Sequence, residues 1–281
     1  MEYGALIQNR KSVRAFKEKA VPAAAIEELK AFAAKSDRLA DIETELLVFD
    51  RETGKALEGA CGYENVMIGA PTYLVLLSAD AEYAFENGGY VMEDIILKAT
   101  DMDLNTCWIT FTDSAAVAEA LGIESDKKVV AVAAVGYGEK TTKRLRINIK
   151  SMSNVDVTAQ RGYFAPKKGI YDMVCVDRIG NTEGLDVAMG FYNDVLWNAF
   201  YACSLTPSYL NRQPYTLVLK DSSKVVLVSN PDEYTDEISE KTGLGIVMRH
   251  FDSVAKLTEW TLGAVDIELP EGYKAVASYS L

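Results

Sequence analysis

The chain has 281 residues, of which 49% are hydrophobic and 25% charged, enough for one large domain or two smaller units around a sizeable core. Its formal net charge of −12 argues against nucleic acid or an anionic membrane as a partner. The sequence has no signal-like apolar segment at its start and no apolar run long enough to span a bilayer, so we expect a cytoplasmic protein.

The first half of the sequence predicts alternating helices and strands. Apolar residues at helical spacing after Pro22 predict an amphipathic helix over residues 23–35. Gly88 and Gly89 precede a second, largely apolar helix, where they form either a turn or a point of close ligand approach. Further apolar patterns predict strands at 45–50, 71–78 and 127–136, and a capped helix at 112–123.

The second half begins with a less regular region, residues 138–183. Its basic part, "KTTKRLRINIK", is either a solvated linker or a segment that reaches an anion. Beyond it, periodicity predicts helices at 185–205 and 242–260, a hairpin at 216–228 and a final strand in the segment that starts at 268.

The two halves resemble each other. A helix ending "LKAFAAKS" before the strand "ELLVF" matches a helix ending "LWNAFYACS" before the strand "YTLVL", and Val91-Met92 matches Val247-Met248. We therefore predict a tandem duplication with units at 1–150 and 151–281 that form one compact body. Only the second unit carries the segment "TPSYLNRQPY", which predicts one active site per chain.

Residues that usually carry hydrolytic or metal chemistry are scarce. His250 is the only histidine, and the four cysteines are scattered without a C-x-x-C pair, so we expect no metal site and no cysteine or serine nucleophile. A lone histidine is more often a hydrogen-bonded structural residue than a catalyst, although ligand contact by His250 stays open. The cysteines Cys61, Cys107, Cys175 and Cys203 are expected to be small buried residues.

Two polar segments stand out as candidate binding elements. The first, "NRKSVRAF", places Arg10, Lys11, Ser12 and Arg14 within five residues, and forked guanidinium and hydroxyl donors of this kind suit a phosphate. Alone it is more typical of a solvated N-terminus. The second, "TPSYLNRQPYT" at 206–216, carries amide side chains that both donate and accept, which suits a flat polar ligand.

The combination of "RKSVR" with "PSYLNRQPY" resembles the nitroreductase family of flavin enzymes, in particular single-chain members with two linked halves. The resemblance covers most of the chain and is weakest over 145–180. It implies an α+β fold, with a mixed sheet flanked by helices, two pseudo-repeated halves in one chain, and FMN in a cleft between them. The flavin would carry the chemistry, so that no protein residue needs to act as catalyst.

The resemblance also implies which residues bind FMN. The phosphate and ribityl chain would contact Arg10, Lys11, Ser12 and Arg14, and Arg146 would complete this site. The isoalloxazine ring would contact Pro207, Ser208, Asn211 and Gln213. The sequence departs from the family at Tyr209, in place of a small hydroxyl residue, and at Tyr215, in place of Trp; we expect Tyr215 to lie in the core.

The function implied is an FMN-dependent oxidoreductase. It would take hydride from NAD(P)H and reduce an electron-poor acceptor such as a nitroaromatic or quinone. A non-catalytic flavin carrier or sensor is the main alternative, and a scaffold without flavin is a third. Because one chain contains both halves, a monomeric pseudo-dimer and a homodimer are both compatible with a complete site.

Overall fold

The computed structural model describes residues 1–63, 67–139, 143–151, 154–161, 166–190 and 193–281. The helices are α1 Tyr3–Asn9, α2 Ala23–Ala33, α3 Arg51–Gly54, α4 Ala84–Asp101, α5 Ser114–Leu121, α6 Ile170–Met173, α7 Leu185–Gly190, α8 Asn193–Ser204 and α9 Glu237–Ala255. The strands are β1 Thr44–Asp50, β2 Thr72–Ser78, β3 Asn105–Ile109, β4 Lys128–Gly136, β5 Lys143–Ser151, β6 Asn154–Arg161, β7 Val174–Val176, β8 Tyr215–Lys220, β9 Lys224–Ser229, β10 Trp260–Leu262 and β11 Lys274–Ser280.

Two sheets with matching strand order confirm the predicted α+β class and the repeat. The first sheet is antiparallel throughout, in the order β1-β2-β4-β3. The second contains the same arrangement, β8-β9-β11-β10, and adds β7 in parallel beside β8. Each half also has one long helix after the second strand of this shared order, α4 after β2 and α9 after β9. The boundaries 1–150 and 151–281 stay a prediction.

Each long helix is buried against its own sheet. In the first half, Val91, Met92 and Ile95 of α4 pack with apolar residues of β2 and β4. In the second half, Val247 and Phe251 of α9 pack with residues of β8, β9 and β11. Burying one such side chain contributes about 1.5–3 kcal/mol. The predicted burial of the largely apolar helix is confirmed.

The helices α4 and α9 also cross each other at very short range. A Cβ atom on Gly89 would lie 2.1 Å from the carbonyl oxygen of Thr242, and one on Gly245 would lie 1.9 Å from that of Glu86. Only glycine permits this approach. The expectation that Gly88 and Gly89 precede the helix is wrong, because α4 begins at Ala84; Gly89 lies at the crossing with α9, and Gly88 packs against Val130 of β4.

Other differences lie at element boundaries. The predicted helix at 185–205 is two described helices, α7 and α8. The helix predicted at 242–260 begins earlier, at Glu237, and Trp260 belongs to β10. In the less regular region, residues 138–183, for which no strand was predicted, β5 and β6 form an antiparallel hairpin. Among the described residues, no helix combines the length and apolar character that a bilayer crossing requires.

Candidate functional site

The basic N-terminal segment lies along the edge of the first sheet. Ser12 pairs with Thr106 of β3 in a parallel bridge, and the Val13 N–H donates to the Thr106 carbonyl at 2.9 Å. Further along, Lys17 N–H donates to the Tyr137 carbonyl at 2.8 Å. This pairing fixes the backbone of the segment, so that its alternate side chains have defined directions.

The segment "TPSYLNRQPY" forms a tight turn after α8. Leu210, Asn211 and Gln213 all have left-handed backbone angles, with φ of 46°, 59° and 49°. Asn adopts this region readily, but Leu and Gln do not, so the surrounding structure must hold the turn. The Gln213 N–H donates to Ser208 Oγ at 2.9 Å, and Arg212 pairs with Asp232 at 2.6 Å. The turn is a rigid feature of the fold.

Both segments line one cavity of about 1160 Å³, whose wall comes from the first and the second half of the chain. Seven of the nine predicted binding residues lie on its wall: Arg10, Lys11, Ser12, Arg14, Pro207, Ser208 and Asn211. Arg146 lies in β5, and its side chain is outside the described part of the structure. The structure thus brings together two motifs that are far apart in the sequence.

Gln213 does not lie on the cavity wall. Its side chain is buried, its Nε2 donates to the carbonyl of Ser204 at 2.9 Å and to the Tyr215 hydroxyl at 3.1 Å, and its Oε1 accepts from the Lys168 N–H at 2.9 Å. These bonds use the whole amide group. Gln213 therefore holds the turn from behind instead of facing the cavity. Tyr215 is buried as expected, with its hydroxyl donating to the Cys203 carbonyl.

A buried carboxylate lies behind the cavity wall, and the sequence did not predict it. Glu93 of α4 accepts hydrogen bonds from His250 Nε2 at 2.9 Å and from Trp108 Nε1 at 2.7 Å, and its Oε1 lies 3.4 Å from Arg10 Nε. Burial alone would raise the pKa of Glu93, but the His250 hydrogen bond and the charge of Arg10 outweigh burial and keep that pKa below its usual value. Glu93 thereby anchors Arg10.

His250 is the second member of this buried pair. It is fully buried, and its Nδ1 lies 3.1 Å from both Thr206 Oγ1 and the Ala202 carbonyl oxygen. The expectation of a hydrogen-bonded structural histidine is confirmed. No sequence signal links it to Glu93, because the two residues come from different helices in different halves.

Lys167 is a further cation on the cavity wall that the sequence did not predict. Its Nζ donates to the Thr206 carbonyl at 2.8 Å. Burial, together with the positive charge of Arg10, lowers the pKa of Lys167 to about 8. Cys107 also lies on the wall, but burial raises the pKa of its thiol, so it is not a poised nucleophile. All four cysteines are buried, as predicted.

The repeat relates Glu93 and His250 to a second buried pair of side chains, Arg249 and Asp94. When Val91-Met92 is aligned with Val247-Met248, Glu93 is equivalent to Arg249 and Asp94 is equivalent to His250. Arg249 Nη2 donates to Asp94 Oδ1 at 2.7 Å, so the helix crossing contains two buried polar pairs of related position. Tyr3 of α1 donates to Asp94 at 2.8 Å, and Arg249 Nη1 donates to the Tyr90 hydroxyl at 3.2 Å. The prediction of one active site per chain stays a prediction.

The family comparison matches residues 3–169 to the family described as "Putative TM nitroreductase". The match covers more than half of the chain, and the chain belongs to this nitroreductase family. A search of the curated proteins finds no match.

The chain is similar to several solved structures, and the first of them shows the same fold over nearly the whole chain. A "putative nitroreductase" from Thermotoga maritima is 16% identical, with 99% of this chain and 93% of that chain covered at a TM-score of 0.59. An FMN-dependent nitroreductase from Clostridium difficile R20291 is 18% identical and covers 49% of this chain and 88% of its own, with a TM-score of 0.43. A "Putative NADH Oxidase" from Clostridium acetobutylicum is 28% identical and covers 48% of this chain and 87% of its own, with a TM-score of 0.41.

Proposed function

We propose that the protein is an FMN-dependent oxidoreductase that takes hydride from NAD(P)H and reduces an electron-poor acceptor such as a nitroaromatic or quinone. Membership of the nitroreductase family supports the class of reaction. The observation that carries the proposal is the cavity between the halves, because it unites the basic segment and the amide-containing turn on one wall.

The residues present fit FMN in two respects. The wall carries four cations, Arg10, Lys11, Arg14 and Lys167, which suit a phosphate dianion. In addition, Arg10 Nη1 is buried and has no hydrogen-bond partner among the described residues. A buried donor without a partner costs free energy, and a bound anionic group would remove that cost. The rest of the wall includes apolar residues such as Met67, Ile68 and Phe111, which suit a flat ring system.

Within this proposal, the residues of the cavity wall divide into two roles. Ser12 and Arg14 bind the phosphate and ribityl chain, with Lys11 beside them. Pro207, Ser208 and Asn211 form the surface for the ring. FMN, when bound, would supply the hydride chemistry, and the chain would orient it and exclude water.

The proposal assigns a positioning role to the Glu93–His250 pair. Glu93 is fully buried and lies behind Arg10. The carboxylate holds the guanidinium near the wall and partly compensates its charge. Arg146 stays a proposed member of the phosphate site.

An anaerobic reduction experiment tests the enzyme against the alternative of a non-catalytic flavin protein. NADH or NADPH is added without oxygen to FMN-loaded protein, and the flavin absorbance bands are followed. Bleaching, and its reversal by a nitroaromatic or a quinone, is the expected result. Bands that persist with both nucleotides would favour a carrier or sensor and would contradict the proposed enzyme.

A further inference from the structure

We propose that two copies of this chain form a dimer in which the hairpin β5–β6 of each copy docks on the outer edge of strand β1 of the other. The dimer goes beyond the proposed function, because neither the hairpin nor this edge needs a bound flavin for the contact. Backbone pairing would hold the two strands together, and their side chains would select the partner.

The hairpin β5–β6 is a two-stranded sheet on its own. Within the described part of the chain, β5 and β6 pair only with each other and join neither of the two larger sheets. A hairpin of two strands is marginally stable in water, and a third strand stabilises it. The sequence from Leu145 to Ile149 alternates apolar and polar residues, which is typical of a strand with one buried face. Both features favour a further strand as the partner of the hairpin.

Strand β1 offers an edge for such pairing. Among the described strands, β1 pairs only with β2, so its outer edge can accept another strand. In the second half, the equivalent edge belongs to β8, and there β7 covers it. The shared strand order thus marks the outer edge of β1 as the place where a fifth strand fits the first sheet.

The charges of the two elements are complementary. Glu43 and Glu45 have exposed side chains at the start of β1, and both pair with Lys127, so one cation is shared by two carboxylates. Strand β5 has no acidic residue and four basic ones: Lys143, Arg144, Arg146 and Lys150. With Arg146 left to the proposed phosphate site, three basic residues remain for these carboxylates. On a chain with a net charge of −12, this local positive charge favours docking onto an acidic edge.

The apolar patterns of the two strands agree with the same pairing. Leu46 and Val48 of β1 are partly buried against the core of the first half. A register that sets Glu45 opposite Lys150 in the antiparallel direction, or opposite Arg144 in the parallel direction, also sets Leu46 and Val48 opposite apolar residues of β5. Opposite charges and apolar pairs across strands both stabilise a sheet. Because each copy supplies one hairpin and one edge, the contact closes into a two-fold dimer.

Reversal of the charges on each element tests the dimer by sedimentation velocity. The hairpin variant is Lys143→Glu/Arg144→Glu/Lys150→Glu, and the edge variant is Glu43→Lys/Glu45→Lys. We expect the unmodified protein to be dimeric at micromolar concentration, and each variant alone should raise the dissociation constant of the dimer by about tenfold or more. An equimolar mixture of the two variants should restore a dimer, because both docked pairs of the mixed dimer then carry opposite charges.

A matched control and a measurement without variants complete the design. Arg178→Glu/Lys256→Glu/Lys274→Glu reverses three exposed basic residues outside β1 and β5, and it should keep the affinity of the unmodified dimer. Hydrogen exchange of the unmodified protein is compared above and below the dissociation constant. Amides of β1 and β5 should lose protection on dilution, whereas those of the central strand β4 should not.

Several results would overturn the dimer. They are an unmodified protein that is monomeric at every concentration, a dimer that both charge variants retain, or a mixture of the variants that stays monomeric. Monomeric protein with β1 and β5 protected at every concentration would place the hairpin on the edge of its own chain. Monomeric protein with both strands unprotected would leave a different protein as the partner. Circular dichroism of each variant confirms that it is folded before its association is compared.

Discussion

The ion pair between Arg249 and Asp94 links the two halves, and its loss should destabilise the whole chain. Both residues are 2% exposed. Arg249 Nη2 lies 2.7 Å from Asp94 Oδ1 and donates to the Tyr3 hydroxyl at 2.8 Å, so one guanidinium joins α9 to both α4 and α1. The variant Arg249→Met removes the charge, keeps an apolar side chain and leaves Asp94 buried without its cation.

The contacts of Asp94 determine how much the free energy of unfolding should fall in Arg249→Met. Removing one partner of a buried pair costs about 3–5 kcal/mol, because the other charge stays buried and uncompensated. Asp94 keeps the hydrogen bond from Tyr3, so we expect the lower end, about 3 kcal/mol. For a chain of this size, that loss corresponds to a fall in melting temperature of about 6–10 °C.

Calorimetry and urea unfolding, followed by circular dichroism, measure this loss. The double variant Asp94→Asn/Arg249→Met removes both charges and should regain much of the stability. Lys241→Met, which breaks an exposed pair with Glu237 on the same helix, should cost no more than about 1 kcal/mol. A loss in Arg249→Met as small as that in Lys241→Met would refute the reasoning.

Three further predictions concern the cavity and the helix crossing. Arg14→Ala should weaken FMN binding by about 1–3 kcal/mol through loss of a charged hydrogen bond, and unchanged affinity in a fluorescence titration would remove Arg14 from the site. Gly245→Ala should lower the melting temperature, because the new Cβ would lie 1.9 Å from the Glu86 carbonyl oxygen. The control Gly243→Ala places its Cβ in open space and should be neutral or stabilising. Equal melting temperatures of the two variants would count against a close helix crossing. The pKa of Lys167 falls from 10.5 to about 8 on folding, so between these pH values the unfolded chain binds more protons than the folded chain. The free energy of unfolding should therefore rise with pH across that window, relative to that of Lys167→Met. Parallel stability curves for the two proteins would argue against the burial of Lys167.

The sequence alone predicted those features whose signal lies within a short segment. The basic segment "RKSVR" and the turn "PSYLNRQPY" each concentrate polar side chains within a few residues, and seven of the eight residues predicted from these two regions lie on one cavity wall. The repeat was also visible, because the same helix–strand succession occurs twice and builds the same strand order in both sheets.

The remaining features depend on partners that are distant in the sequence. Glu93 and His250 meet only because α4 and α9 cross, and no periodicity within either helix indicates this. Gln213 looks like a ligand-binding amide by composition, but its partners Ser204 and Lys168 take up its amide group. Gly88 and Gly89 resemble a turn in the sequence, but Gly88 packs against the Val130 side chain of β4 and Gly89 against the backbone of α9.

One missed element did carry a usable signal. Leu145, Ile147 and Ile149 alternate with polar residues in β5, and they pair across the hairpin with Ala159, Val157 and Val155 of β6. This is the period of two that indicates a strand. The high basic content of the segment obscured it, because charge runs of this kind are typical of linkers.

The most direct test of the central claim, that the cavity between the halves holds a single FMN, is the flavin stoichiometry. Purified protein is saturated with FMN, freed of excess, and its flavin absorbance is compared with the protein concentration from amino-acid analysis. The account predicts one FMN per chain, since only the second half carries the segment "TPSYLNRQPY". Two flavins per chain, or none, would contradict it.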